Sequence, residues 1–291
     1  MKAALDQPTV SFTFDDGNTN DILTWTFEEW NEGILANLDA ANLKAIFFVT
    51  GFNKLDQKGQ FLLNSWDQRG HRLANHTFSH PNYNDPKVTI EDFETELLRT
   101  DSLLSPYKNS ISLFRFPYLK EGNTLERIDG FRQALHKHGY YNGHVTIDAS
   151  DWYIESRLRK KIKAEGLSDL TIQAFQDFYL DHILERAQYY EQLSFELTGR
   201  HIPHTLLLHH NLCSALFLDD LIQRFQQEGW ATVDADRAYD DPIFRQTPEV
   251  NPAGESLIWS LAKASGKYED QLRYPAEDSR YEKPKMDKRG L

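Results

Sequence analysis

Two adjacent aspartates are the first residues in this chain that could do chemistry. Asp15 and Asp16 follow an apolar run at 10–14, in the string SFTFDDG. Successive side chains of an extended strand point to opposite faces, so one carboxylate can bind a metal while its neighbour contacts water. Asp-Asp-Gly is also ordinary turn chemistry, so the pair taken alone favours an acidic turn.

A pair of histidines provides a second candidate, His76 and His80 in NHTFSH. Residues four apart on one helical turn lie on the same face, close enough to share one ion. With a carboxylate from another strand they would make three protein ligands, which leaves room for water and substrate at a catalytic metal. Taken alone, two histidines at this spacing also occur by chance.

Polar groups follow three further apolar runs. Arg115 and Tyr118 lie in FRFPY, and an arginine there can hold a carboxylate through two nitrogens or form a structural pair. His209 and His210 follow three leucines, where burial and a carboxylate partner can tune a pKa towards neutrality. The two rings point in opposite directions in an extended chain, so one of them faces any site. The string IDASDW adds Asp148, Asp151 and Trp152.

The elements that must position these residues alternate along the chain. Strands are predicted at 10–14, 45–51, 71–75, 112–116, 143–148, 205–209 and 231–233. Helices are predicted at 24–42, 58–70, 88–104, 124–139, 168–198 and 214–229, several of them ending at glycine. This order favours a parallel sheet wrapped by helices, with a closed or nearly closed barrel preferred to an open doubly wound sheet. Catalytic residues then gather at the carboxyl ends of the strands.

One catalytic domain is predicted over 1–250, followed by a polar extension over 251–291 that packs on the barrel or is partly ordered. The net charge of −12 argues against nucleic-acid binding, and no apolar run is long enough for membrane insertion. The single cysteine, Cys213, permits no intrachain disulfide. No signal peptide is visible in MKAALDQPTV, which suggests either a cytoplasmic protein or a secreted or periplasmic form that has lost its leader.

Taken together, TFDDG, H-x-x-x-H, R-x-P-Y, D-x-x-D-W and L-L-H resemble the five motifs of the polysaccharide deacetylase family, the NodB-homology or carbohydrate esterase 4 type. These motifs run from Thr13 to His209. The resemblance implies a distorted (β/α)7 barrel. It also implies hydrolysis of an acetamide or acetate ester on a carbohydrate by metal-activated water, with an aspartate base and a histidine acid.

The resemblance carries over to single residues. Asp16, His76 and His80 match the ligands of a divalent metal, usually zinc, with cobalt, nickel or manganese as alternatives. Asp15 matches the general base and His209 the general acid, while Arg115 orients the base and Asp151 holds the acid. The Tyr118 amide would help to hold the oxyanion, and Trp152 with Leu207 would wall the acetyl-methyl pocket. This alignment also selects His209 over His210.

Some positions depart from the family pattern. His210 stands where an aspartate usually follows the catalytic histidine, and Leu119 replaces a glycine that often follows the tyrosine. None removes a catalytic group, so an active enzyme is expected, but the substrate stays open. The alternatives are the same chemistry on a small amide, as in a deformylase or ureide hydrolase, and an inactive glycan-binding protein. The sequence does not predict the oligomeric state.

Overall fold

The computed structural model describes residues 6–273 and 279–291, and strands and helices alternate through them as expected. The strands are β1 (Thr9–Asp16), β2 (Ile46–Val49), β3 (Arg72–Asn75), β4 (Ser110–Phe114), β5 (Lys120–Gly122), β6 (Tyr141–Asn142), β7 (Pro203–His209), β8 (Ala231–Thr232) and β9 (Ala253–Gly254). The helices are α1 (Phe27–Ala40), α2 (Gln57–Gln68), α3 (Ile90–Leu104), α4 (Leu125–Lys137), α5 (Asp151–Glu165), α6 (Asp169–Thr198), α7 (Leu212–Gln227), α8 (Ala235–Ala238), α9 (Leu257–Ser265) and α10 (Glu282–Arg289). Short 3₁₀ turns lie at Pro117–Leu119 and Pro242–Arg245.

A single parallel sheet forms the centre of the molecule. Its strands lie in the order β6, β4, β3, β2, β1, β7, and β8 pairs with the first residues of β1. Parallel strands need long crossovers and covered faces. The helices supply both, and β2 is accordingly apolar and buried along its whole length.

The segment 141–147 reaches both edges of this sheet. Its first two residues, Tyr141 and Asn142, pair with β4. Further along, the Ile147 amide donates to the Thr205 carbonyl at 3.0 Å and the Ile147 carbonyl accepts from the Leu207 amide at 3.0 Å. The sheet therefore curls round towards closure, which confirms the distorted (β/α)7 barrel against the open doubly wound alternative.

The strand predicted at 143–148 is wrong over most of its length. Regular pairing stops at β6, and only an isolated bridge at Ile147 lies further along. The reason is that this segment crosses from β4 to β7 and cannot stay parallel to either. At Gly143 it passes so close to β2 that a β-carbon would lie 2.4 Å from the Phe48 ring.

The register of the sheet brings the strand ends to one rim. Asp15 is opposite His209 on β7, and Asp16 is opposite Val49 on β2. Val49 is in turn opposite Asn75, the last residue of β3. Polar residues distant in sequence therefore leave the sheet at the same level, as carboxyl ends of parallel strands should.

Stacked aromatic side chains fill the space between sheet and helices. The Phe47 ring lies 5.2 Å from Phe14 and 4.1 Å from Trp66 of α2. A second buried cluster joins β4 to α3 and α4, with Phe93 and Phe131 at its centre, 4.6 Å apart. Offset and edge-to-face ring contacts of this kind add to the area they bury, so the rim stands on a rigid base.

Helix α5 was not predicted, because DWYIESRLRKKIKAE is strongly charged. Its buried residues Ile154, Leu158 and Ile162 nevertheless repeat at helical spacing along one face. That pattern could have shown the helix. Its position matters because Asp151, a candidate catalytic residue, is its first residue.

The C-terminal segment packs on the barrel where it is described. Strand β9 pairs antiparallel with β5, and α9 buries Leu257, Ile258 and Ala262. Residues 274–278 of the predicted extension lie outside the described residues, as do 1–5 of the segment read for a signal peptide, and the boundary at 250 stays a prediction. Every helix in the described ranges is too short or too polar to cross a lipid bilayer.

Candidate active site

The two aspartates at the end of β1 face different partners. The Asp15 carboxylate is almost fully buried and lies 2.6 Å from an Arg115 guanidinium nitrogen. Asp16 and Gly17 take left-handed backbone conformations, with φ of 76° and 78°. This turn directs the Asp16 carboxylate towards both His76 and His80, whereas Asp15 lies near His76 alone, at 3.6 Å from Nε2.

Asp16, His76 and His80 form a cluster with metal-ligand chemistry. One ligand atom from each lies within 4.8 Å of the other two, and the Asp16 oxygen is 3.8 Å from His76 Nε2 and 3.6 Å from His80 Nε2. His76 Nδ1 donates to the Arg115 carbonyl at 2.8 Å, which leaves Nε2 as the coordinating atom. Burial, assisted by the charge of His76, lowers the pKa of His80 to about 4, so this imidazole is neutral as a ligand must be.

The histidines do not share a helical turn, so the expected local structure is wrong. They lie in a loop after β3 in which Thr77 and His80 have φ of 66° and 59°. The His80 amide donates to the Thr77 hydroxyl at 3.1 Å, which fixes the loop. Backbone in the left-handed region, rather than helical spacing, brings the two rings to a centroid distance of 4.9 Å.

Arg115 is a buried hub of hydrogen bonds. One terminal nitrogen contacts Asp15 and also donates to the Thr13 hydroxyl at 2.9 Å. The second terminal nitrogen donates to the Tyr239 hydroxyl at 2.9 Å, and Nε donates to the Gly143 carbonyl at 2.9 Å. With its donors occupied in this way, the guanidinium holds the Asp15 carboxylate in one orientation.

His209 and Asp151 form the opposite flank of the site. His209 Nδ1 donates to one Asp151 carboxylate oxygen at 2.6 Å, and the His209 amide and the Asn211 side chain donate to the other at 2.9 Å each. Burial alone would lower the pKa of His209, but Asp151 together with Asp16 and Asp15 raises it to about 10. These carboxylates therefore favour the protonated ring, which is the form that a general acid needs.

His210 points away from the site into the core. Its Nδ1 accepts from the Asn18 amide at 3.1 Å, so Nε2 carries the proton and donates to Asn31 Oδ1 at 3.0 Å. Its ring lies 4.2 Å from Trp30. Burial lowers the pKa of His210 far below its usual value, so it is a neutral packing residue.

An open cavity of about 520 Å³ joins these groups. Among its walls are the three predicted substrate-contacting residues, Tyr118, Trp152 and Leu207. The Tyr118 ring lies 4.6 Å from the His80 ring, and the tyrosine has a φ of 56°. Arg115 and Asp151 do not line the cavity and lie behind Asp15 and His209, which they contact.

Several residues at this rim received no catalytic or ligand role from the sequence. The cavity is also lined by Asn82, Leu119, Lys120 and Asp148. Lys120 forms an ion pair with Glu255. Burial and the charge of Glu255 raise the pKa of Asp148 to about 7.

Lys54 was missed as well, although it follows the apolar run of β2. It is fully buried behind the Asp16 turn, and burial lowers its pKa to about 7 against the opposing charges of Asp16 and Asp56. Examining the polar residues after β2, as after the other strands, would have found it.

Comparison with known proteins shows what this chain is similar to. Residues 2–143 match the family described as polysaccharide deacetylase. A Bacillus cereus protein named peptidoglycan-N-acetylglucosamine deacetylase is 33% identical to the chain over 118 residues. Residues 2–143, about half of the chain, belong to the polysaccharide deacetylase family. The alignment covers 40% of this chain and 38% of the Bacillus cereus protein, so the chain spans less than half the length of that relative.

This chain shares its fold with solved structures of low sequence identity. The chitin deacetylase of the fungal pathogen Colletotrichum lindemuthianum superposes with a TM-score of 0.55 at 16% identity, over 81% of this chain and 89% of that one. A family 4 carbohydrate esterase pseudoenzyme from Bacillus anthracis superposes equally well, with a TM-score of 0.55 at 16% identity, over 80% of this chain and 66% of that one. The fold is thus compatible with turnover and with its absence, and activity must be argued from the site.

Proposed function

We propose that this polysaccharide deacetylase homologue is a metal-dependent hydrolase that removes acetyl groups from an N-acetylated or O-acetylated carbohydrate. The observation that carries the proposal is the meeting of three kinds of group in one cavity. A cluster of metal-ligand type, a carboxylate held by a guanidinium and an imidazole held by a carboxylate all reach it. Hydrolysis of an amide needs this combination of a base, an acid and a charge-stabilising group.

The residues present fit a divalent metal such as zinc, held by Asp16, His76 and His80. The donor set is one carboxylate and two imidazoles, and His76 carries the outer hydrogen bond typical of metal-binding histidines. Bound there, the metal would supply Lewis-acid polarisation and make water a better nucleophile.

Asp15 is the base in this mechanism. Its carboxylate takes a proton from the attacking water, and Arg115 keeps the accepting oxygens oriented throughout. Water adds to the acetyl carbon and the bond from this carbon to nitrogen or oxygen breaks, giving acetate and an amine or alcohol.

His209 is the acid. Asp151 fixes Nδ1, so Nε2 is the nitrogen available to protonate the leaving amine or alkoxide. The Tyr118 amide donates to the oxyanion of the tetrahedral intermediate, and Trp152 with Leu207 encloses the acetyl methyl group.

The alternatives differ in substrate or in turnover. A deformylase or ureide hydrolase would use the same groups on a small amide. An inactive glycan-binding protein is disfavoured because every proposed catalytic position is filled, although the Bacillus anthracis pseudoenzyme shows that the fold accommodates loss of activity.

The deciding experiment combines Asp15→Asn with a substrate screen. Acetate release is measured on chitooligosaccharides, acetylxylan and peptidoglycan, and formate release on small amides. Asp15→Asn should lose at least about 10²-fold in turnover because it removes a general base, while zinc affinity stays unchanged. Asp177→Asn, an exposed substitution on α6, is the matched control and should keep full activity.

Three outcomes would contradict the proposal. Activity that survives complete zinc removal by a chelator would exclude a metal-dependent mechanism. Full activity in Asp15→Asn would exclude its role as the base. Glycan binding without any acetyl or formyl release by the zinc-loaded wild-type protein would favour the binding protein.

A further inference from the structure

A buried ammonium group lies directly behind the candidate metal site. Lys54 follows β2, and none of its surface is accessible to solvent. Its Nζ lies within hydrogen-bond distance of the carbonyl oxygens of Asp16 at 3.1 Å, Gly17 at 2.5 Å and Thr50 at 3.1 Å, and of Asn53 Oδ1 at 2.5 Å. The N–H donors of one lysine are thus shared among four oxygens.

The cost of burying such a charge indicates what the lysine does. An ammonium group leaves water only where its protons find strong acceptors. Here the nearest acceptors are mostly main-chain carbonyls, of the turn after β1 and the end of β2, rather than a carboxylate. The ammonium therefore ties two backbone segments together instead of completing a side-chain ion pair.

The turn that Lys54 holds is one that the chain does not adopt readily. Asp16 has a φ of 76°, a conformation that costs a non-glycine residue free energy. The Asp16 carbonyl also accepts from the amide and the hydroxyl of Thr50, at 3.1 Å and 2.8 Å. At Gly17 a β-carbon would lie 2.8 Å from Lys54 Cε, so the lysine stem packs tightly against the turn.

This backbone conformation decides where the two aspartates point. In a continued extended strand Asp16 would face away from Asp15 by simple alternation. The left-handed turn instead brings its carboxylate to within 3.8 Å of both imidazoles, while Asp15 contacts Arg115 and, at 3.6 Å, only His76 of the two histidines. Any relaxation of the turn would displace the carboxylate ligand first.

We propose that Lys54 is a positioning residue, whose amino group holds the Asp16–Gly17 turn through hydrogen bonds so that the Asp16 carboxylate is preorganised for a metal ion. The inference rests on the proposed function, because it assumes the metal site. It predicts that zinc affinity and ligand geometry depend on a side chain that contacts no metal.

The test compares Lys54→Met, which keeps the stem and removes the charge, with Lys58→Met, which removes an exposed lysine four residues away on α2. Zinc dissociation constants are measured by competition with a chromophoric chelator, well below the melting temperature of each variant. Loss of an outer-sphere partner typically weakens metal binding by about 10-fold to 100-fold, which is the effect expected for Lys54→Met. Lys58→Met should bind zinc as the wild type does.

A spectroscopic measurement separates positioning from general stability. The visible absorption bands of the cobalt-substituted protein report ligand geometry, so they should change in Lys54→Met and not in Lys58→Met. A folded Lys54→Met with wild-type zinc affinity and an unchanged cobalt spectrum would overturn the inference.

A milder variant keeps the test decisive if Lys54→Met does not fold. Asn53→Ala removes one acceptor of the ammonium and one donor, at 3.2 Å, to the Gly17 carbonyl. It should weaken zinc binding in the same direction by a smaller factor, and unchanged affinity would again overturn the inference. Asp16→Asn separates the two proposals. If Asp16→Asn loses zinc but the Lys54 and Asn53 variants keep wild-type affinity, only the positioning role is contradicted. If the wild-type protein binds no zinc, both proposals are contradicted.

Discussion

Strand β7 carries a histidine–carboxylate pair at each end, and the two pairs behave in opposite ways. At the carboxyl end His209 contacts Asp151 at 2.6 Å, and at the amino end His204 contacts Glu191 at 2.8 Å. The pKa of His209 is raised to about 10, whereas that of His204 is lowered. An imidazole and a carboxylate at a similar distance therefore do not by themselves determine whether the pKa of the histidine is raised or lowered.

The difference comes from what surrounds each pair. Burial disfavours the charged ring at both ends, but at the carboxyl end two further aspartates, Asp15 and Asp16, support the charge of His209. At the amino end Glu191 is shared with His201, whose Nδ1 lies 2.5 Å away and whose charge opposes that of His204. Concentrated carboxylates at one rim of the barrel make an acid there and leave a neutral structural histidine at the other rim.

The largest effect should come from removing the ring at the catalytic end. His209→Ala is expected to cut turnover by about 10²-fold to 10⁴-fold, the range typical of losing a general acid. Zinc affinity should change little, since His209 is not in the proposed ligand set. Steady-state kinetics on the substrate found by the screen, with zinc titration in parallel, measures both.

His204→Ala is the control on the same strand. It should leave turnover near the wild-type value and lower the melting temperature, because it empties a fully buried position. If His209→Ala and His204→Ala lost turnover equally, the proposed functional difference between the two ends of β7 would be contradicted. Loss of zinc in His209→Ala would show that the proposed ligand set is wrong.

A smaller effect, on stability alone, is expected at the structural end. Glu191→Ala leaves the imidazole N–H groups of His201 and His204 without their carboxylate acceptor, one of them fully buried. An unsatisfied buried donor costs about 1–3 kcal/mol, which urea unfolding would detect. Glu191→Gln keeps an acceptor oxygen and should lose less, and a fall in turnover without a fall in stability would contradict the structural assignment.

Local patterns predicted the alternating strands and helices and the polar residues at one rim of the sheet, and the family resemblance added the distorted barrel. Apolar runs place the strands, and residues directly after a run must emerge at the same rim when the strands are parallel. Asp15, Asp16 and His209 could be found in this way, and motif resemblance supplied their expected roles.

What the sequence did not predict depends on backbone conformation and on burial. The left-handed residues Thr77 and His80 bring the histidine pair together in a loop, which spacing alone assigned to a helix. The proposed role of Lys54 depends on its contacts with main-chain carbonyl oxygens. Every residue has such an oxygen, so the sequence does not indicate which ones the lysine contacts. The segment 143–147 lost its strand because it must cross between two edges, a constraint set by the closed sheet.

The smallest expected effect is a change in the pH dependence of stability, caused by a buried carboxylate without a close imidazole partner. It can be compared with the two histidine–carboxylate pairs of β7. Glu155 lies one turn after Asp151 on α5, mostly buried, with an Arg159 nitrogen 3.6 Å away. Burial raises its pKa to about 7, although Arg159 opposes the shift. Because the folded-state pKa is above the unfolded value, the folded protein holds this proton more tightly, and the associated stability is complete below about pH 4.5 and is lost as the pH rises through 7.

Glu155→Gln removes this titration, so its stability relative to the wild type should increase by about 1 kcal/mol between pH 5 and pH 6. Urea midpoints at the two pH values measure the difference. Glu165→Gln, an exposed change on the same helix, should show no such trend. If Glu155→Gln and Glu165→Gln responded to pH alike, the pKa of Glu155 would not be raised in the folded protein. Burial would then not control the protonation of groups on this side of the barrel, and the explanation of the difference between the two ends of β7 would be contradicted.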